Sequence, residues 1–111
     1  MSEQRYVFIE SRDPFAASDA GFVADTAAAL RRRGRPVTVF LVQNGVLATR
    51  AGARGSKLGT LTAEGVDVLA DDFSLRERGI EARELTPGVR ETSIDALVDL
   101  LIQPGTKAVW H

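Results

Sequence analysis

The chain has 111 residues, of which 44% are hydrophobic, and its 14 basic and 15 acidic side chains give a net charge of -1. This composition excludes a disordered chain and any general electrostatic attraction to nucleic acid or anionic lipid, and the length fits one domain over residues 1–111. Because cysteine is absent, disulfide bonds, cysteine-ligated metals and thiol catalysis are excluded too.

The first residues, Met1 to Arg5, lack the basic and apolar pattern of a secretory signal. Apolar runs are interrupted every few residues, so none reaches the roughly 20 residues that span a bilayer. Small secreted domains usually depend on disulfides, which this chain does not have. We therefore expect a cytoplasmic protein without nucleic-acid or membrane partners.

The first half of the chain alternates between strand and helix patterns. Residues 5–10 form an apolar, β-branched run that predicts a buried strand, and residues 18–33 carry one apolar stripe of a helix that ends at Gly34. Residues 37–42 are apolar on both faces, as in a strand of a covered parallel sheet. This strand is followed by a turn at Gln43, a Gly-rich loop over 49–59 and a short helix over 58–64.

The second half continues the alternation. We predict a strand over 66–70, a helical turn over 74–78, a weak strand at 84–85 and a final strand over 107–110. Between the last two strands, Thr92 and Asp95 have capping-box spacing and begin a helix. Its predicted buried stripe consists of Ile94, Leu97, Val98, Leu101 and Ile102.

This order of elements predicts an α/β fold, a three-layer α/β/α sandwich with a mainly parallel five-stranded sheet and right-handed crossovers. Ligands of such sheets bind beyond the carboxyl ends of the strands. Polar residues lie at the carboxyl ends of the first three predicted strands, and an arginine ends the helical turn that follows the third strand. The candidate ligand-binding residues are Ser11, Arg12, Asp13, Asn44, Asp71, Asp72 and Arg78.

Several of these residues also have a structural interpretation. Asp71 and Asp72 could act as a carboxylate pair, but neighbouring side chains diverge, so a helix cap by Asp72 or Ser74 is favoured. Arg76 and Arg78 could bind an anion near a helix end, but a solvated helix face is favoured. The single histidine, His111, supports no Ser-His-Asp arrangement. We therefore assign no catalytic residue, metal ligand or cofactor.

Two further features leave alternatives open. The Gly-rich loop lacks a Walker motif, so a mobile surface loop is favoured, although its Arg50, Arg54 and Lys57 could close over an anionic ligand. Trp110 closes the predicted last strand and belongs either to the core or to a subunit contact, where tryptophan is enriched.

Four segments in order resemble the DsrE/DsrF-like sulfur-relay proteins, which include the TusD-type subunits. Residues 39–46 read Val-Phe-Leu-Val-Gln-Asn-Gly-Val, similar to the family's Val-Phe-Leu-x-x-Asp-Gly-Val, and residues 78–80 match its Arg-Gly-Ile ending. A Pro-containing loop over 11–15 follows the first strand, and an aromatic residue, Trp110, lies in the last. The resemblance spans nearly the whole chain.

The resemblance implies a parallel-sheet sandwich that assembles as a trimer or hexamer of one chain or of related chains. Active members carry a persulfide-forming cysteine just after the third strand, which corresponds within one residue to Asp71. Sulfur transfer is therefore not expected here, and Asn44 replaces a more usual Asp. Since some cysteine-free subunits support active ones, the resemblance implies a non-catalytic structural or regulatory role.

Two other hypotheses remain. The strand-end residues Ser11, Arg12, Asn44, Asp71 and Arg78 could bind a small anion or a nucleotide as a ligand-binding module. An enzyme that uses Asp71 or Asp72 as a base is the least favoured, because too few catalytic groups accompany them.

Overall fold

A computed structural model describes residues 4–13, 21–53 and 56–111 of the chain. These residues contain five strands, β1 (Arg5–Glu10), β2 (Val37–Leu41), β3 (Asp67–Asp71), β4 (Arg90–Thr92) and β5 (Thr106–Trp110). The α-helices are α1 (Gly21–Arg32), α2 (Leu58–Ala63), α3 (Asp72–Glu77) and α4 (Ile94–Leu101). Two 3₁₀ helices lie at Gln43–Thr49 and Ala82–Glu84.

The strands form one sheet in the order β4-β3-β2-β1-β5, and every neighbouring pair is parallel. The predicted α/β sandwich is thus confirmed. The chain moves outward from β1 to β4 and then returns to the other side of β1. Because crossovers between parallel strands are right-handed, this reversal places α4 on the face opposite α1 and α2. The reversal also creates a switch point between the carboxyl ends of β1 and β5.

Side chains of the central strands alternate between two buried layers. Phe8 and Val39 pack toward α1 and α2, whereas Val7 and Phe40 pack with Leu97 of α4. Burial on both faces explains why the strands read as continuous apolar runs rather than as alternating ones.

The predicted strand at 84–85 is wrong. Ala82–Glu84 is a 3₁₀ helix, and Leu85 makes only an isolated bridge with Arg50. The fourth strand lies at Arg90–Thr92, at the edge of the sheet, and Arg90 and Glu91 are exposed. A short edge strand with charged residues has no apolar alternation, so its pattern gave no strand signal. The 3₁₀ helix over Gln43–Thr49 was not predicted either, since the sequence indicated only a turn at its first residues.

The predicted buried stripe of α4 is largely wrong. Only Leu97 of that set is buried, while the other four side chains are 38–73% exposed. The helix is apolar on two faces, so the sequence alone did not indicate which face contacts the sheet. The predicted capping box is not present, because Thr92 belongs to β4 and the N-cap residue is Ser93.

Some predictions lie outside the described residues, namely the helix start at Ser18, the Pro14–Phe15 part of the first loop, and Arg54. In the part of the chain that the structure describes, no helix is long and apolar enough to cross a membrane.

Candidate functional site

Asp71 forms the junction between β3 and α3. Its side chain is buried, and its Oδ2 accepts hydrogen bonds from the Ser74 backbone N–H at 3.0 Å and from Ser74 Oγ at 2.7 Å. This is the geometry of a helix N-cap, in which a side-chain oxygen satisfies a backbone donor of the first turn. The predicted cap therefore exists, but its residue is Asp71 and not Asp72 or Ser74.

Ser74 extends this contact to the end of β2. Its Oγ donates to Asp71 and accepts a hydrogen bond from the Gln43 backbone N–H at 2.8 Å. Gln43 has a positive φ of 51°, which is uncommon for a residue other than glycine. The Ser74 hydroxyl thus fixes the backbone turn that follows β2.

Arg78 and Asn44 meet on the outer side of the same junction. The Nε and Nη2 atoms of Arg78 donate to Asn44 Oδ1 at 3.2 and 3.0 Å, and Nη1 donates to the Ser74 carbonyl oxygen at 3.1 Å. The structure therefore brings together the predicted residues Asn44, Asp71 and Arg78. Arg78 contacts both Asn44 and Ser74, and Ser74 contacts Asp71.

A groove on the α4 face adjoins this junction. Its polar residues include Asp71, Ser74 and Arg78. Three large apolar residues also line it, namely Phe73, Ile94 and Trp110. Phe73 is 60% exposed and Trp110 is 66% exposed, so Trp110 is not a core residue. The groove thus combines a structural polar cluster with aromatic groups that face outward.

The residues after β1 occupy a different place. Arg12 is exposed and lines a cavity on the α1 and α2 face, whereas Ser11 donates from its N–H and its Oγ to the carbonyl oxygen of His111. Asp13 is half-buried. Asp72 forms an ion pair with Arg76 at 3.7 Å and lines neither the cavity nor the groove. The seven candidates therefore do not form one site.

His111 lies at the switch point between β1 and β5. Its backbone N–H donates to the Ile9 carbonyl oxygen, and its Nδ1 lies 2.7 Å from Glu10 Oε2. The imidazole also contacts the ring of Phe22 at a centroid distance of 5.5 Å. Sequence reasoning missed this contact because it joins residues far apart in the chain.

The contact between Gln43 and Ser74 was also not predicted, because Gln43 was considered as a strand-end neighbour of Asn44 and Ser74 only as a helix cap. The Asp-x-x-Ser spacing of Asp71 and Ser74 was a usable cap signal. Among the described residues, no group of three or more acidic or histidine side chains gathers as a metal site. The junction offers a carboxylate already engaged by two donors, an arrangement that stabilises structure.

Two solved proteins share this architecture. The ychN protein from E. coli is 22% identical, with a TM-score of 0.83 over 97% of this chain and 99% of that chain. The protein of unknown function MTH1491 from Methanobacterium thermoautotrophicum is 19% identical, with a TM-score of 0.74 over 99% of this chain and 100% of that chain. No protein-family model and no curated protein matches the sequence. These likenesses show that the chain has the fold of the ychN protein.

Proposed function

We propose that this protein is a cysteine-free relative of the DsrE/DsrF-like proteins, close to the TusD type, and a non-catalytic structural or regulatory subunit related to intracellular sulfur relay. The observation that carries the proposal is the state of the β3–α3 junction. By resemblance, active members hold a persulfide there. Here Asp71 accepts two hydrogen bonds from Ser74 and caps α3. A carboxylate forms no persulfide, so the position serves the fold.

Exposed apolar residues support a role in assembly. Ile94, Val98, Leu101 and Ile102 form one outward face of α4, which we call the α4 apolar surface. Phe73 and Trp110 lie beside it in the groove that Ile94 also lines. Contiguous apolar patches on soluble proteins mark interaction sites, and aromatic residues are enriched in interfaces. We propose that this surface mediates a homotrimer, a homohexamer or a mixed assembly with related subunits.

The first experiment measures the mass of the purified protein in solution, followed by affinity purification from the native cell. We expect a trimer or hexamer, or recovery of a cysteine-containing DsrE-like chain with this one. The proposal is contradicted if the purified protein is a monomer and the affinity purification recovers no such chain.

A variant with cysteine at position 71 tests whether the β3–α3 junction has the geometry of a sulfur-relay site. In Asp71→Cys, the thiolate attacks the outer sulfur of a donor persulfide, forms a new persulfide and releases the donor as a thiolate. We expect mass spectrometry to show one added sulfur atom, with slower loading of the neighbouring Asp72→Cys control. Equal rates for both variants would show that position 71 has no special geometry for sulfur relay.

The alternative function, a small-anion or nucleotide module in which the candidate residues act together, has less support. Arg12 lines the cavity on the α1 and α2 face, whereas Asp71 and Arg78 line the groove on the α4 face. One small ligand that contacts all three side chains does not fit this arrangement.

A further inference from the structure

A cavity of about 230 Å³ lies at the carboxyl ends of β1 and β2, between the sheet and helices α1 and α2. Its walls are mainly apolar. They include Val23, Val39, Leu41, Ala48, Leu58 and Leu61. Small-molecule sites typically combine such walls with a few polar groups that fix the orientation of the ligand. The cavity is separate from the polar junction around Asp71.

Lys57 supplies a positive charge to this cavity. Its Nζ donates to Asp25 Oδ1 at 3.0 Å, and both side chains are more than half exposed. An ammonium group has three N–H donors, so the bond to Asp25 leaves Lys57 capacity for another acceptor. Glu10 also lines the cavity, but its carboxylate already accepts from the Arg12 backbone N–H and contacts Nδ1 of His111. The polar chemistry therefore favours an anionic group near Lys57.

Gly21 also lines the cavity close to this ammonium. An added Cβ at Gly21 would lie 3.7 Å from Lys57 Nζ and 3.4 Å from Asp25 Oδ2. The φ of Gly21 is not positive, so its backbone conformation does not require glycine. Glycine is also a poor helix former. Both distances are ordinary van der Waals contacts, so position 21 would also accept a small side chain beside the charge.

We propose that this cavity binds a small monocarboxylate with an aromatic or branched aliphatic body. The body lies among the apolar walls, and the carboxylate accepts hydrogen bonds from Lys57. An apolar cavity of about 150 Å³ binds benzene, so the present volume accommodates about nine non-hydrogen atoms, the size of benzoate. This inference is independent of the proposed subunit role.

Three probes of one shape test the proposal by NMR titration of the isotope-labelled protein: benzoate, benzyl alcohol and benzylamine. We expect benzoate to saturate with a dissociation constant on the order of 1 mM and to shift the amide signals of Ala48, Leu58 and Leu61. Benzyl alcohol should bind about fivefold more weakly, because an exposed ion pair contributes only a small part of the binding free energy. Benzylamine, which is positively charged like Lys57, should bind more weakly still.

Variants separate the charge from the cavity. Lys57→Gln should lower benzoate affinity about fivefold and leave benzyl alcohol binding unchanged. Ala24→Leu should fill the cavity and abolish binding of both, whereas Ala29→Leu, on the same helix but outside the cavity wall, should retain it. Thermal unfolding verifies that each variant is folded, and Gly21→Leu replaces Ala24→Leu if the latter is not.

Three results would overturn the proposal. The first is equal affinity for benzoate and benzyl alcohol with no effect of Lys57→Gln. The second is a set of shifts confined to the groove at Phe73 and Trp110. The third is the absence of saturable shifts at the solubility limit of benzoate.

Discussion

Asp71 and Ser74 form a buried hydrogen-bonded pair in which one carboxylate oxygen of Asp71 accepts both the backbone N–H and the hydroxyl of Ser74. The same hydroxyl accepts the N–H of Gln43 and so connects the end of β2 to the start of α3. Removing the hydrogen-bond partner of a buried polar group lowers the free energy of unfolding more than removing the partner of an exposed group, because water does not replace the lost bond. The stability of this junction should therefore depend on Asp71 far more than on its exposed neighbours.

The first prediction compares Asp71→Ala with Asp72→Ala. Asp71→Ala removes the cap of α3 and leaves buried donors of Ser74 without an acceptor, so we expect the free energy of unfolding to fall by about 2 kcal/mol. Asp72→Ala removes a partly exposed ion pair with Arg76 and should cost at most about 0.5 kcal/mol. Urea denaturation measures both values, and equal losses would contradict the assignment of the cap to Asp71.

The second prediction concerns Asn44, where the resembled family more often has aspartate. Arg78 already directs Nε and Nη2 at Asn44 Oδ1, so Asn44→Asp converts this contact into an ion pair without moving either side chain. We expect a gain of about 0.5 kcal/mol in the free energy of unfolding at low ionic strength, screened out at about 1 M salt. In an Arg78→Met background the gain should vanish. A gain that persists there would assign the effect to another cation.

The third prediction concerns the close approach of the 3₁₀ helix to β1. A Cβ at Gly45 would overlap the backbone carbonyl oxygen of Glu10, so Gly45→Ala forces the main chain to move. We expect a loss of about 3 kcal/mol. Gly34→Ala is the control, because Gly34 has a positive φ of 81° but open space around it, and should cost only about 1 kcal/mol. Similar losses for both variants in urea denaturation would contradict a steric requirement at Gly45.

Local patterns predicted the sheet but not the contacts that assemble the site. The runs at Arg5–Glu10 and Val37–Leu41 were recognisable because burial on both faces requires continuous apolar residues. The edge strand Arg90–Thr92 was not, since charged, exposed residues carry no periodic signal. Strand order, which places Glu10 beside His111, depends on pairings between distant segments that no local pattern encodes.

The candidate site was likewise predicted only in part, since its residues were identified but not all of their contacts. Asp71 and Asn44 were predicted at strand ends and Arg78 at the end of a helical turn. Arg78 contacts Asn44 and Ser74, and Ser74 contacts Asp71. Arg12 was expected with them, but the rule that places ligands beyond strand ends does not specify which face of the sheet a side chain reaches. The outward face of α4 was missed for a related reason. A helix that is apolar on two sides looks fully buried when its partners are unknown.

The last prediction tests the α4 apolar surface as a subunit contact. Val98 is 50% exposed in the centre of that surface, so Val98→Glu should leave the fold of each subunit nearly unchanged, with an effect on unfolding within about 0.5 kcal/mol. A buried unpaired charge in an interface is costly, so the same variant should shift the assembly toward monomer, as measured by light scattering. Lys107→Gln on β5, also exposed, changes the net charge by the same one unit, so it is the control for a general charge effect and should keep the assembly intact. If Val98→Glu keeps the mass of the wild-type assembly, another surface joins the subunits. If both variants dissociate it, net charge rather than the α4 contact controls association.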